Sequence, residues 1–221
     1  DNNIKKGVPI TDVVIVATGD LANGENIYAT QAYDQELAPP KQVRLVVEII
    51  AKLILALLER DLEVEFDGVK GNHGRTGKDT DPNSNWDLMI YEMLDFWSKA
   101  MLKNDKLRIN WTESDYMTVP IRGHNFLLRH IAPEQLDTVA GRVKVNEWAR
   151  QHDIVAMVYG HYHHFGVFDA DGVRVFRGGS VAGMDDLSER MAKDSDPIQL
   201  IWGVNEHRTM TFFYAVDLAS R

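Results

Sequence analysis

The sequence predicts an α/β fold with mixed sheets, and three observations support this. Two runs of β-branched and other apolar residues, 13–17 and 154–159, are typical of strands that are buried on both faces. Segments with helical periodicity lie between these two runs. Hairpin signals follow the second run, and Asp171-Gly172 is the clearest turn. Strands that alternate with helices first and form hairpins later are typical of an α/β sandwich with mixed sheets.

The elements of the first 150 residues are predicted in the order strand, helix, strand, helix, three short strands and helix. Their predicted ranges are 13–17, 42–60, 62–66, 86–103, 107–111, 116–121, 126–128 and 142–151. Pro39-Pro40 fits a helix start, where a missing N–H costs least, and Ser84 or Asn85 can cap the second helix. Apolar residues recur so densely in 42–60 that we expect this helix to be buried.

The last third of the chain is predicted to be rich in strands. The run 154–159 leads directly into Gly160-His161-Tyr162-His163, and strands at 165–168 and 173–176 form the hairpin. A closing strand is predicted at 209–216. Because the sequence has no repeats and no low-complexity tract, we expect one domain over residues 1–221.

The composition excludes several classes of protein. A net charge of −9 argues against binding nucleic acid by bulk electrostatic attraction alone. The chain has no cysteine, which excludes disulfides, zinc ribbons, iron–sulfur clusters and thiol nucleophiles, and which fits a cytoplasmic location. The most apolar stretch, 43–58, is interrupted by charged residues, so we expect a soluble protein with no membrane segment.

Polar side chains follow three of the predicted strands. They are Asp20, the pair Asn72-His73, and the pair His161 and His163. Open α/β sheets place their sites at the carboxyl ends of strands, so these positions are candidate site residues. Taken singly, an Asp after Gly and an Asn-His pair in a glycine-rich loop are ordinary turn formers, and two loop histidines need not bind a metal. The joint pattern is what indicates a metal site.

The order of motifs resembles the calcineurin-like metallophosphoesterase superfamily. The motifs are Gly19-Asp20, Gly71-Asn72-His73, a single His at a strand end, and Gly160-His161-Tyr162-His163. The resemblance implies a four-layer α/β/β/α sandwich around two metal ions. Three segments are most similar to the branch found in phages and prophages: Gly71-Asn72-His73-Gly74-Arg75, Gly178-Gly179-Ser180 and Met184-Asp185-Asp186.

The resemblance implies five metal ligands. Asp20 would bridge both metals, Asn72 and His161 would bind the second metal, His130 would be the mid-chain ligand, and His163 would bind the first metal. The residue types are oxygen and imidazole donors, which suit manganese first, with iron or zinc as alternatives. The implied cofactor is therefore a pair of divalent metal ions.

Three further residues are candidates for roles at the site. His124 is an alternative mid-chain ligand, but it falls in the predicted turn at 121–125, whereas His130 ends a strand, so we expect His130. His73 resembles the family's non-ligating histidine, which stabilises charge on the phosphate or protonates the leaving oxygen. Arg75 could bind a phosphate oxygen or could equally be a solvated loop charge.

One family motif is absent. The family opens with Asp-x-His at the end of its first strand, and no His precedes His73 here. We expect that the natural chain begins earlier and that the first strand of the domain is missing from these residues. The alternative is an incomplete first metal site, which would fit a degenerate member that acts as a non-catalytic binding scaffold.

The implied activity is hydrolysis of a phosphoester by a metal-bound hydroxide. Two cations can deprotonate the attacking water and neutralise the charge on the phosphoryl oxygens, which supplies the local positive field that a chain of net charge −9 lacks. Phosphodiesters, DNA among them, are the first substrate class, and phosphomonoesters or cyclic nucleotides are the alternatives. A long nucleic acid needs a basic and aromatic groove, whereas the tryptophans here are better explained as core residues. The sequence does not indicate an oligomeric state.

Overall fold

The computed structural model describes residues 9–25, 27, 31–33, 35–130, 136–182 and 196–219. The chain divides into two compact units, residues 1–113 and residues 114–221. The expectation of one domain over the whole chain stays a prediction. The segment Met184-Asp185-Asp186, which contributed to the phage-branch resemblance, lies outside the described residues.

The first unit contains a three-stranded parallel sheet covered by helices. Its strands are β1 (Asp12–Ala17), β2 (Glu63–Gly68) and β3 (Leu107–Trp111), in the order β1-β2-β3. The helices are α1 (Pro39–Leu58) and α2 (Trp86–Phe96), and α2 continues as a π-helical segment, Trp97–Leu102, while Gln31–Tyr33 forms a 3₁₀ turn. Because the strands are parallel, their carboxyl ends lie at one edge of the sheet.

The core of the first unit joins the sheet to both helices. Its buried residues are Ala17, Ala22, Val43, Phe66, Leu88, Ile90, Tyr91 and Leu94. Tyr91 packs over Gly68 so closely that a Cβ at residue 68 would lie 2.7 Å from the ring, and the tyrosine hydroxyl donates to the Val69 carbonyl at 2.8 Å. Helix α2 is therefore fixed to the end of β2, where the loop of Asn72 and His73 begins.

The expectation that the first helix is buried is wrong. In α1 only Pro39, Val43 and Ile54 are buried, while Leu45, Ile49 and Leu53 are 44%, 56% and 48% exposed. A helix that covers one face of a sheet buries one side only. The density of apolar residues in α1 therefore does not show how much of the helix surface is covered by the rest of the protein.

The second unit contains a five-stranded mixed sheet in the order β4-β5-β6-β8-β7 and a separate two-stranded sheet. The bounds are β4 (Tyr116–Ile121), β5 (His124–Arg129), β6 (Ala156–Tyr159), β7 (Gly166–Ala170), β8 (Val173–Arg177), β9 (Ile198–Asn205) and β10 (Arg208–Asp217), with helix α3 (Val139–His152) between β5 and β6. β5, β6 and β8 run parallel in the centre, and β4 and β7 pair antiparallel at the edges. The predicted α/β class with mixed sheets is confirmed.

Helix α3 and the central strands share the core of the second unit. Buried residues in this core include Leu127, Val145, Trp148, Met157 and Val175. Two details differ from the sequence prediction. His124 begins β5 instead of lying in the turn, and β9 was not predicted. Strand β9 pairs with β10, and its Trp202 stacks on Phe176 of β8 at 4.3 Å between ring centroids.

Among the described residues, no helix combines the length and the apolar character that crossing a bilayer requires.

Asp67 of β2 is a buried carboxyl that should make stability depend on pH. It is 1% exposed, its Oδ1 accepts from Asn110 Nδ2 at 2.9 Å, and its Oδ2 has no hydrogen-bond partner among the described residues. Burial is the largest cause that raises the pKa of Asp67 from 3.8 to about 6. Because the folded-state pKa lies above the unfolded value, stability that is present below pH 3.8 is lost as pH rises through about 6.

We therefore expect Asp67→Asn to be more stable than the wild type at neutral pH. The gain should grow by about 2.5 kcal/mol between pH 4 and pH 7, since one pKa unit corresponds to about 1.4 kcal/mol and most of the shift lies above pH 4. Urea unfolding of both proteins between pH 4 and pH 8 measures this difference. A difference in unfolding free energy that stays constant over that range would contradict the assignment.

Candidate functional site

The first candidate loop leaves β1 and carries Asp20. Gly19 has φ +85° and Asp20 has φ +57°, so the chain turns sharply at this strand end. A Cβ at Gly19 would lie 2.3 Å from the backbone nitrogen of Gly71, and a Cβ at Gly71 would lie 2.1 Å from Asp20 Oδ1. The loop after β1 and the loop after β2 therefore touch through backbone atoms, which is possible only with glycine at both positions.

The carboxyl group of Asp87 holds these two loops together. Asp87 is fully buried at the start of α2. Its Oδ1 accepts from the N–H groups of Leu21 at 2.9 Å and Ala22 at 3.2 Å. Its Oδ2 accepts from the N–H groups of Asp20 at 2.9 Å and Gly71 at 2.8 Å.

The same carboxyl group has a perturbed pKa. Burial, followed by the negative charge of Asp20, raises the pKa of Asp87 to about 6. Hydrogen bonds from the backbone of Gly71, Ala22 and Asp20 act in the opposite direction, because they favour the ionised form. These donors lower the energy of a charge that burial alone would make expensive.

His73 is held on both sides of its backbone and at its ring. Its N–H donates to Asp20 Oδ1 at 2.8 Å, and its carbonyl accepts from the N–H of Gly24 at 2.7 Å. The ring Nδ1 lies 3.3 Å from Asn23 Oδ1, which also accepts from Gln31 Nε2 at 2.6 Å. Because an amide oxygen only accepts, Nδ1 is assigned as the donor in this pair, and the second proton-exchanging atom of the ring is Nε2.

Asn72 and Arg75 lie in the same loop as His73. Arg75 Nε donates to the carbonyl of Asn72 at 3.2 Å, and the Arg75 backbone forms an isolated antiparallel bridge with Asn85. One N–H of the guanidinium therefore stabilises the loop, and the planar fork offers further donors. The two sequence interpretations of Arg75, a phosphate ligand and a solvated loop charge, both stay predictions.

In the second unit, the structure brings His130 and His161 together. His130 follows β5 and is 3% exposed, and His161 follows β6. His161 Nδ1 lies 3.3 Å from His130 Nε2, and the two rings are inclined at 81°. Two nitrogens that bind one ion at about 2.1 Å and an angle of about 90–110° are roughly 3.0–3.4 Å apart. The pair therefore has the spacing of neighbouring ligands on a single metal ion.

His124 is in a different environment from His130. Its Nε2 lies 2.9 Å from the carbonyl oxygen of Asn205, so its ring is engaged with the end of β9. The structure thus places His130, the residue that the sequence analysis preferred, beside His161. The role of each residue as a ligand stays a prediction.

The loop that carries His161 and His163 is fastened to the residues after β8. Gly178 N–H donates to the Tyr159 carbonyl at 2.8 Å, and Ser180 N–H donates to the His163 carbonyl at 3.1 Å. Arg177 Nε donates to the carbonyl of His164, also at 2.8 Å. The Gly178-Gly179-Ser180 segment singled out in the sequence therefore supports the histidine loop through its backbone.

Left-handed backbone conformations single out three of the candidate ligands. Among the described residues other than glycine, eight have positive φ, and five of these are at helix ends or hairpin turns: Asp61, Lys103, Arg122, Asp153 and Asp171. The other three are Asp20 at φ +57°, His161 at +73° and His163 at +61°. Such conformations cost about 1 kcal/mol or more each and cluster at functional sites, so they add an independent indication.

Comparison with known proteins gives similarity only at the level of solved structures. No protein-family model matches the sequence, and no curated protein matches it. An archaeal phosphodiesterase is similar with 13% identity, a TM-score of 0.42, and coverage of 93% of this chain and 98% of the other. Vps29 of Entamoeba histolytica in complex with zinc is similar with 15% identity, a TM-score of 0.41 and coverage of 93% and 98%. A predicted phosphoesterase of Streptococcus pneumoniae is similar with 10% identity, a TM-score of 0.38 and coverage of 85% and 79%.

The sequence analysis missed two residues of the site, Asn23 and Asp87. The signal for Asn23 is its position three residues after Asp20 in a loop that ends a strand. The signal for Asp87 is an acidic residue two positions after the helix cap Asn85, in the first turn of an otherwise apolar helix face. Neither pattern alone shows which loop the side chain will contact.

Each of the two units carries side-chain donors of types that suit a divalent cation. The first unit offers the Asp20 carboxylate and the Asn72 amide, and the second offers the imidazoles of His130, His161 and His163. Carboxylate and amide oxygens together with neutral imidazoles suit manganese, iron and zinc. The donor types of each unit, and the spacing of the histidine pair within the second unit, therefore suit metal binding.

Proposed function

We propose that this protein is a metal-dependent phosphoesterase that binds two divalent metal ions and hydrolyses phosphodiester bonds. The observation that carries the proposal is the 3.3 Å separation of His161 Nδ1 and His130 Nε2, which matches two ligands of one ion. The left-handed conformations of Asp20, His161 and His163 support it, because these residues hold strained backbone conformations in the loops that follow β1 and β6.

The proposed ligands are Asp20, Asn72, His130, His161 and His163. Asp20 is assigned as the bridging carboxylate, Asn72 and His161 as ligands of the second ion, and His163 as a ligand of the first. When bound, the ions would supply Lewis-acid activation of water and neutralisation of phosphoryl charge. The negative net charge of the chain makes such local cations necessary for binding a phosphoester.

The remaining site residues act on protons and on the phosphate. His73 donates a proton from Nε2 to the leaving oxygen, while Asn23 Oδ1 holds Nδ1 and so fixes the ring orientation. The backbone N–H of His73 bonds Asp20 Oδ1, which links the proton donor to a proposed ligand. The other N–H donors of the Arg75 guanidinium bind a phosphate oxygen.

The finer assignments belong to the same proposal. Manganese is the proposed metal, with iron or zinc as alternatives, because the donors are oxygen and imidazole without thiolate. Phosphodiesters, including those of DNA, are the proposed substrates, and phosphomonoesters are the alternative. The absence of cysteine from the sequence supports a cytoplasmic protein, and Gly178-Gly179-Ser180 supports the phage and prophage branch.

Metal binding can be tested with two histidine variants. The metal-stripped protein should bind Mn²⁺, and a ligand at 100 times its dissociation constant should stabilise the fold by about 2.7 kcal/mol. His130→Ala should lose this stabilisation and most of the bound metal. His124→Ala is the matched control, since His124 begins the strand that His130 follows but its ring is engaged with Asn205, and this variant should bind metal like the wild type.

Metal content and thermal unfolding with and without Mn²⁺ measure both effects. If His130→Ala binds as much metal as the wild type with equal affinity, the ligand assignment is wrong. If all proteins bind metal but none hydrolyses a phosphoester, the chain is a metal-binding scaffold and not an enzyme.

A further inference from the structure

We propose that Asp87 is a positioning residue that sets the spacing between the Asp20 loop and the Asn72–His73 loop, and thereby the affinity for metal. The proposal rests on the proposed function, because it concerns the same metal site. It assigns Asp87 no contact with metal or substrate. Its effect passes through the backbone of the residues that carry the proposed ligands.

One oxygen atom of Asp87 is shared by the two loops. Asp87 Oδ2 accepts from both the Asp20 N–H and the Gly71 N–H, at 2.9 and 2.8 Å. These two residues are 51 positions apart along the chain, in the loops after β1 and after β2. A single acceptor for both donors fixes the two loops side by side, which is why a Cβ at Gly71 would meet Asp20.

The hydrogen bonds at residue 87 require a carboxylate. Both oxygens of Asp87 are used, Oδ1 by Leu21 and Ala22 and Oδ2 by Asp20 and Gly71. All four partners are N–H donors, and only a carboxylate offers acceptors on both of its terminal atoms. An asparagine of nearly the same shape would turn an NH₂ group toward two of the N–H donors and lose those two bonds.

Asp87 is itself held in place at the start of α2. Asp87 is in the first turn of α2, where its own N–H donates to the Asn85 side chain at 2.8 Å. Asn85 Nδ2 in turn donates to the Gly71 carbonyl at 2.9 Å. Gly71 is thus bonded on both sides of its backbone to the start of one helix. The helix transmits this position to Asp20, whose Oδ1 accepts from the His73 N–H.

The experiment compares Asp87→Asn with Asp67→Asn, which changes another buried carboxyl of the same unit; the Asp67 carboxyl accepts from Asn110 and from none of the four loop N–H groups that Asp87 binds. We expect Asp87→Asn to weaken Mn²⁺ binding by ~10- to 100-fold, the usual range for residues that orient metal ligands. Asp67→Asn should keep the wild-type dissociation constant within about twofold. Calorimetric titration measures the dissociation constant for Mn²⁺. It is performed below the unfolding temperature of each variant, so that differences in global stability do not affect the result.

Amide hydrogen exchange provides a second measurement that needs no variant. In the metal-free wild type, the N–H groups of Asp20, Leu21, Ala22 and Gly71 should exchange slowly, because each is bonded to a buried carboxylate. In Asp87→Asn, about two of these four should lose protection. Rapid exchange of all four in the wild type would overturn the proposal even if Asp87→Asn does not fold.

The outcomes separate this proposal from the proposed function. If the wild type binds no metal while the four amides are protected, the proposed function is wrong, but the role of Asp87 in spacing the two loops is supported. If the wild type binds metal and Asp87→Asn binds it equally well, Asp87 is not a positioning residue and the phosphoesterase proposal is unaffected.

Discussion

Removal of metal with a chelator is expected to reduce hydrolysis of bis-nitrophenyl phosphate to the uncatalysed rate, and added Mn²⁺ is expected to restore it. The reason is that water is the nucleophile in the proposed reaction, and the activation of that water depends on the bound cations. Phosphoesters react so slowly without catalysis that the loss should exceed ~10³-fold.

His161→Ala and His124→Ala make this experiment specific. His161 lies 3.3 Å from His130, so its loss should lower metal content and leave a rate close to that of the chelated wild type. His124→Ala keeps the proposed ligands and should respond to chelator and Mn²⁺ like the wild type. Activity that persists unchanged in excess chelator would exclude a metal-dependent mechanism.

Positions of strands and of polar strand ends could be predicted from the sequence because both depend on local pattern. The run that became β1, for example, ends in glycine and then Asp20, and the fully apolar run of β6 ends in glycine and then His161. Open α/β sheets place their sites at the carboxyl ends of the strands, so a polar residue there is a candidate site residue. The choice of His130 over His124 followed from the same rule.

The role of Asp87 could not be predicted, because it depends on three segments that meet only in the fold. Its partners are 16 to 67 residues away, and the period of α2 does not reveal which N–H groups its first turn will face. The exposure of α1 was mispredicted for a related reason, since apolar density does not tell on how many sides a helix is covered. Both the contacts of Asp87 and the exposure of α1 depend on residues that become neighbours only in the folded protein.

His73→Ala is expected to keep its metal and lose rate, by ~10² to 10⁴ for a positioned proton donor. His73 is not among the proposed ligands; its backbone N–H donates to the Asp20 carboxylate, and its Nδ1 lies 3.3 Å from Asn23 Oδ1. His161→Ala is the contrast, because it should lose metal first. Metal content measured beside the rate of each variant separates the two roles.

The leaving group then tells which chemistry His73 performs. A nitrophenolate departs without protonation, so a general acid at Nε2 matters little for nitrophenyl esters and much for alkyl esters. If His73 instead stabilises charge on the phosphoryl oxygens, both classes of ester should slow by similar factors. We expect the larger loss with alkyl esters, because Asn23 Oδ1 holds Nδ1 as a donor and the proposed general acid is Nε2. A His73→Ala protein that no longer binds metal would show that His73 is a ligand and not a proton donor.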